Sequence, residues 1–239
     1  MIRIRQALYV LAFAMLFQAW AFAAAPLESM PLAASDRKSI ATTIKVFAGN
    51  TSTLYYSFTH PNIKKRALVS DRILDGFGYG PLRLTLPNGT AIYWGFRHGE
   101  ATTQSVAIFD AQGRPRLLAA VDSIPWCDGS GSHCDPFTSV EAYQADARST
   151  FLHPGIAVFV RDKRDLETYL PYLKRWLHAH MLGFNVDCKK PRMTEACKFV
   201  TQTELMQFIP IRAYQLPSMQ PLALPKVPAA NVPLQAFTQ

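Results

Sequence analysis

Beyond its first residues this chain of 239 has no long apolar run. After Ala25 no segment is apolar enough to cross a bilayer, which takes roughly 20 residues. Motifs of covalent catalysis are missing too. There is no Gly-x-Ser-x-Gly elbow, and with the four cysteines read as paired, no thiol is left over as a nucleophile. The glycine-aromatic stretch Gly76-Phe77-Gly78-Tyr79-Gly80 is not followed by Lys-Ser/Thr, which argues against a phosphate loop. His178 and His180 stand two apart on a predicted helix and so point in different directions, unlike the i, i+4 pair of a metal-binding face. Basic residues are scattered, with Lys64-Lys65-Arg66 the one run of three, expected on a solvated helix face. No nucleic-acid partner, metal or cofactor is expected, and no internal repeat is visible.

What is present begins at the N-terminus. Arg3 and Arg5 precede an apolar run from Ala7 to Phe17, and Ala21-Phe22-Ala23 offers the small residues that a signal peptidase needs. The expectation is a signal peptide over 1–23, cleaved after Ala23, and a periplasmic or secreted protein with no stable transmembrane anchor. No cysteine follows the cleavage region to carry a lipid. Loss of Arg3 and Arg5 lowers the formal charge from +8 to +6. A moderately basic exported protein suits acidic proteins or anionic envelope polymers as partners.

The cysteines form two close pairs. Cys127 and Cys134 bracket a Gly/Ser-rich loop, and Cys188 and Cys197 bracket a segment of Lys, Pro and Arg. An even count in an exported chain reads as disulfides. Three connectivities exist, and the two local ones need the least chain closure. A metal site with His133 as a third ligand is the rival, but neither pair has the two-residue spacing typical of zinc.

Residues 24–35 read as a flexible N-terminus, 36–215 as a single α+β domain and 216–239 as a disordered, Pro-rich tail with little charge. Ile40, Ile44 and Phe47 recur at helical spacing before Gly49. A strand is expected near 53–59 and a helix from Pro61 to the glycine stretch. Leu82, Leu84 and Leu86, the turn Pro87-Asn88-Gly89, and Ile92, Trp94 and Phe96 form a hairpin. Strands over 104–109 and 116–121 extend it into an antiparallel meander. A short helix near 138–147, a strand over 156–160, a helix from Asp162 to Gly183 kinked or restarted at Pro171, and a strand within 206–214 complete the reading. The fold class is α+β: an antiparallel sheet of about five or six strands with roughly two or three helices packed on it, and disulfide-closed loops.

Tyr93-Trp94-Gly95-Phe96-Arg97-His98-Gly99-Glu100, leading into Ser105-Val106-Ala107-Ile108-Phe109-Asp110, is a strand, a polar loop and a returning strand. The arrangement resembles the periplasmic inhibitors of vertebrate-type lysozyme. There, a Cys-Lys-Pro-His-Asp-Cys loop projects between two strands and its histidine enters the enzyme's cleft. The resemblance covers roughly 30 of 239 residues. Both loop cysteines are absent, Phe96 and Thr102 or Thr103 standing near their places, and His98 alone carries over. The likeness implies a small exported α+β protein that binds through a rigid loop. Arg97, His98, Glu100 and, in the first Cys-bounded loop, His133 are the candidate binding residues, and another envelope protein is the expected partner. The leading functional reading is a non-catalytic binding protein, such as an inhibitor or immunity protein against an envelope-attacking enzyme. The alternatives are an envelope-polymer hydrolase using His98 or His153 with a carboxylate, and an assembly factor offering its Pro-rich tail to a partner.

Overall fold

The computed structural model describes residues 27–56, 64–122, 124, 135–150, 155–183 and 187–238, the side chains of 100–102, 146–150 and 192 excepted. Its elements are β1 (Met30–Pro31), α1 (Ala34–Ala48), β2 (Ser52–Tyr56), β3 (Lys64–Leu68), α2 (Val69–Asp75), β4 (Tyr79–Thr85), β5 (Ala91–Arg97), β6 (Glu100–Phe109), β7 (Pro115–Asp122), α3 (Val140–Thr150), β8 (Gly155–Val160), α4 (Arg164–Met181), α5 (Pro191–Gln202), β9 (Ile211–Gln215) and β10 (Gln220–Leu222).

The expected meander is present and larger than expected. Eight strands lie in the order β1-β4-β5-β6-β7-β8-β9-β10. All neighbours are antiparallel except β8 and β9, which run parallel because α4 and α5 carry the chain across one face between them. The hairpin turn after β4 is closed by Asn88, whose Oδ1 accepts from Thr90 N, and by Gly89 at φ +82°. Asp110 organises the next turn by accepting from the backbone N–H groups of Gln112 and Arg114.

Both faces of the sheet are covered, giving three layers instead of two. Residues 91–95 and 117–121 are buried without interruption, as strands in the middle layer must be. Trp94, Val106, Leu117, Ala119 and Val158 point to the side covered by α4, α5 and the C-terminal segment. Tyr93, Ala107, Phe109, Leu118 and Phe159 point to the side covered by α1 and α2. On that second side the turn after α2 presses onto β5 and β6. A Cβ on Gly76 would lie 2.1 Å from Ser105 Oγ and 2.7 Å from its backbone nitrogen.

Several expectations are corrected. The described chain has five α-helices, against the two or three expected. Lys64-Lys65-Arg66 lies on strand β3, since the helix expected from Pro61 begins only at Val69. The N-terminal segment pairs Met30 with Arg83 and buries Leu32, so from Met30 onward it belongs to the sheet. Helix α4 continues through Pro171 without a fresh start there. Cys188 and Cys197 are disulfide-bonded as expected, but Pro191–Gln202 between and beyond them is a helix, with Pro at its first turn where no amide donor is needed. The bridge spans a separation of 9 residues, which in the chain-entropy picture contributes about 2–3 kcal/mol. Cys127 and Cys134 lie outside the described residues.

The tail is the largest correction. Val232, Leu234, Ala236 and Phe237 are buried in the core, and the Phe237 ring lies 5.6 Å from that of Trp94. Proline removes the tail's own backbone donors, and α4 supplies hydrogen bonds instead. Lys174 Nζ donates to Val227 O, Arg175 Nε to Val232 O, and Pro171 O accepts from Ala230 N. Low charge, which suggested disorder, is also what a segment needs to lie against an apolar layer. Phe237→Ala is therefore expected to cost about 3–5 kcal/mol in urea unfolding, whereas a loose tail would give no change.

Of the two histidines of α4, His178 is buried and His180 half-buried, its ring against Trp176. Burial pulls His178 down to about 4, helped by Arg175 and Lys174 and opposed by Glu204. Burial likewise pulls His180 down to about 4, against a hydrogen bond with Ile124 O, while its ring stacks on Trp176. The unfolded chain protonates such rings near pH 6.5 and the native chain near 4. Between those values the unfolded state holds more protons, so stability is complete above about pH 6.5 and falls toward pH 4. Thermal melts across that window should show the fall, and replacing both histidines with Asn should flatten most of it.

Candidate binding cleft

The side of the sheet under α1 and α2 is not fully covered. Where β7, β8 and β9 meet, the inward positions carry small residues. Ala120 faces Ala157 across the β7–β8 pair, Asp122 faces Gly155, and Ala157 faces Arg212 across β8–β9. Among the described residues nothing large fills this floor, and the paired strands β2 and β3 stand over it. The result is a cleft of two joined compartments that share Tyr55, Arg72 and Asp122. The wide one, about 620 Å³, extends over β8 and β9 to Arg212 and Tyr214, with Lys64 on its β3 side. The narrow one, about 260 Å³, runs along α2 past Asp71 and Asp75 to Arg97.

Arg72 sits at the junction. It occupies a position on the apolar face of α2, one turn from Val69 and next to Ile73, both fully buried. Its side chain is only 8% exposed, and Nη2 donates to Asp122, itself 24% exposed. The guanidinium also lies over the Tyr55 ring at 5.2 Å. Nε is buried with no hydrogen-bond partner. Burial draws the guanidinium down to about 10, against the opposing influence of Tyr55 and Tyr214. A cation so placed depends on its carboxylate, because charge taken out of water must be compensated nearby.

The two compartments differ in charge. Among the described residues Lys64, Arg72 and Arg212 line the wide one with Asp122 as its one acid, whereas Asp71, Asp75 and Asp122 line the narrow one with Arg72 and Arg97. The wide compartment therefore attracts anions, and the narrow one does not. Its walls include Tyr55, Tyr214 and Phe208, and the Tyr214 ring is braced by Phe159 at 6.0 Å. Among the described residues no histidine or cysteine lines either compartment. No group of three His, Cys, Asp or Glu side chains capable of holding a metal occurs among the described residues.

Of the expected binding residues, Arg97 reaches the cleft. It closes the far end of the narrow compartment, with Nε 3.4 Å from the carboxylate of Asp75. His98 does not line it. The ring turns toward Tyr79, edge to face at 5.7 Å, and among the described residues no carboxylate pairs with it. The expected long loop is a two-residue turn, His98-Gly99, with Gly99 at φ +76°. The extra length is absorbed inside β6, where the register shifts between Phe96 and Arg97. The backbone of Glu100 opens β6, but its side chain lies outside the described residues, as do His133, His60 and His153.

Arg72, Asp122, Arg212 and Tyr55 went unread in the sequence. One signal was present: a charged residue on the apolar stripe Val69, Arg72, Ile73 needs a buried counter-ion. The partner, Asp122, is 50 residues away, and only the sheet brings it there.

No protein-family model, no curated protein and no solved structure matches the chain.

Removing Asp122 would leave Arg72 buried without its counter-ion. Asp122→Ala should destabilise the protein toward the lower end of the roughly 3–5 kcal/mol seen for broken buried pairs, since Asp122 keeps some solvent contact. Combining it with Arg72→Met should recover much of the loss. Urea unfolding of the three variants measures this, and a single variant as stable as the parent would show the pair to be dispensable.

Proposed function

We propose that the protein is an exported, non-catalytic binding protein whose contact site is the cleft around Arg72, with the Arg97 end of the β5–β6 hairpin at its rim. The chemistry of the wide compartment carries this reading: three cations, tyrosine rings and one carboxylate engaged by Arg72. Such groups suit a polar or anionic partner. The Cys188–Cys197 disulfide suits the oxidising compartment that the signal-like N-terminus leads to. Among the described residues no helix is long and apolar enough to cross a membrane. The partner on this view is an acidic envelope protein, and an enzyme that attacks the envelope is the most concrete case.

The hydrolase alternative loses support at His98, which faces Tyr79 and has no carboxylate beside it among the described residues. The assembly alternative loses support at the tail, which is built into the core. The test is a titration of the purified chain against the partner captured from envelope extract. Arg212→Ala and Arg97→Ala should each weaken binding, the first by at least about tenfold, equivalent to 1.4 kcal/mol, with unchanged melting. Equal binding by parent and Arg212→Ala would remove the cleft from the interface. Turnover of an envelope polymer that is lost in His98→Ala would replace the binding reading with the enzymatic one.

A further inference from the structure

Arg212 is the feature of the cleft with no structural task. It sits on β9 on the same face as Tyr214, in register with Ala157. Elsewhere that face carries apolar residues: Phe159 and Leu118 are both fully buried. Among the arginines whose side chains are described, Arg212 alone makes no hydrogen bond and no ion pair. Arg72 and Arg116 are held by carboxylates, Arg161 by the carbonyls of Phe47 and Val46, and Arg175 by that of Val232. Arg212 also contributes nothing to burial, being exposed at the mouth of the wide compartment.

The small residues beneath it matter as much as the charge. Ala157 beside Arg212, and Gly155 across from Asp122, leave a recess that any larger side chain would fill. Gly155 also passes close to the backbone: a Cβ there would stand 3.3 Å from Pro210 O. The recess is lined by the cations Lys64, Arg72 and Arg212 and by the aromatic residues Tyr55 and Tyr214, with Phe208 at its edge. Its volume of about 620 Å³ lies in the range of small-molecule and side-chain pockets, roughly 300–1,000 Å³.

We infer that the wide compartment recognises an oxyanion, a carboxylate or phosphoryl group carried on an aromatic or apolar body, with Arg212 as the residue that binds it and Arg72 and Lys64 supplying the surrounding positive field. This rests on the reading of the cleft as a binding site and names the chemistry that the site accepts. A planar guanidinium with its donors unused matches either oxyanion by paired hydrogen bonds. Asp122 holds Arg72 in place and limits how much of its charge is left for a ligand, so the decisive contact falls to Arg212. The tyrosine and phenylalanine walls take the body, and the acids of the narrow compartment keep the anion at the wide end.

The experiment uses the full chain and three small probes that share a ring: benzoate, phenyl phosphate and phenol. Chemical-shift titration at low salt should show the two anions binding at least tenfold more tightly than phenol. A preference for benzoate or for phenyl phosphate tells whether carboxylate or phosphoryl is the natural group, and either supports the inference. Arg212→Ala should weaken both anions at least tenfold, and Arg212→Glu should abolish them, while melting temperatures stay at the parent value because the side chain is exposed. Phenol binding as tightly as benzoate, or Arg212→Ala binding the anions like the parent, would overturn the inference. If the anions fail while the macromolecular partner still requires the cleft, the oxyanion chemistry is wrong and the binding reading stands. If the anions bind through Arg212 but the partner ignores that substitution, the functional reading falls.

Discussion

A sheet whose middle strands are apolar on both faces cannot leave either face in water. Strands β5 and β7 each bury five consecutive residues, and this one constraint organises the rest of the molecule. One face is met by α4 and α5, which the chain lays down while crossing from β8 to the parallel β9, and by the C-terminal segment. The other is met by α1 and α2 from the beginning of the chain. The cleft lies where the second cover ends. Past the last turn of α2 the sheet continues to β8 and β9, and its inward residues there shrink to Gly155 and Ala157 instead of growing to meet a helix.

Arg72 and Asp122 belong to this boundary. A helix face packed on the sheet would ordinarily carry an aliphatic residue at position 72. A guanidinium there is tolerated because Asp122, at the end of β7, is placed to accept from it and because the Tyr55 ring covers it. Replacing such pairs with apolar residues is often neutral for stability, whereas removing one partner alone is costly. The pair also divides the cleft into a basic wide part and a more acidic narrow part, which orients any charged ligand.

The hairpin that first drew attention has a modest place. Its two-residue turn leaves His98 against Tyr79, and Arg97 is tied to Asp75 at the end of α2. The turn is short and forms a rim rather than the projecting probe that the resemblance implied. The reason is in the register. Phe96 pairs with Gln104 and Arg97 with Glu100, so most residues that looked like loop become a bulged strand.

Local chemistry alone determined the meander. Alternating Leu82, Leu84 and Leu86, the Asn88-Gly89 turn and the Asp110–Gly113 turn specify strands and hairpins within a few residues, and the structure has them where expected. Ile40, Ile44 and Phe47 likewise marked α1, and the close spacing of Cys188 and Cys197 marked their bridge. Tertiary structure decided what depends on distant partners. Lys64–Leu68 is a strand because Ser52–Tyr56 pairs with it, although its residues also suit a helix. The Pro-rich tail is ordered because the carbonyls of Val227 and Val232 find Lys174 and Arg175, and because Trp94 offers Phe237 a place in the core. The cleft was illegible for the same reason. Arg72, Asp122, Gly155 and Arg212 come from four separate elements, of which only α2 carries a local signal, and the order of strands in the sheet makes them neighbours.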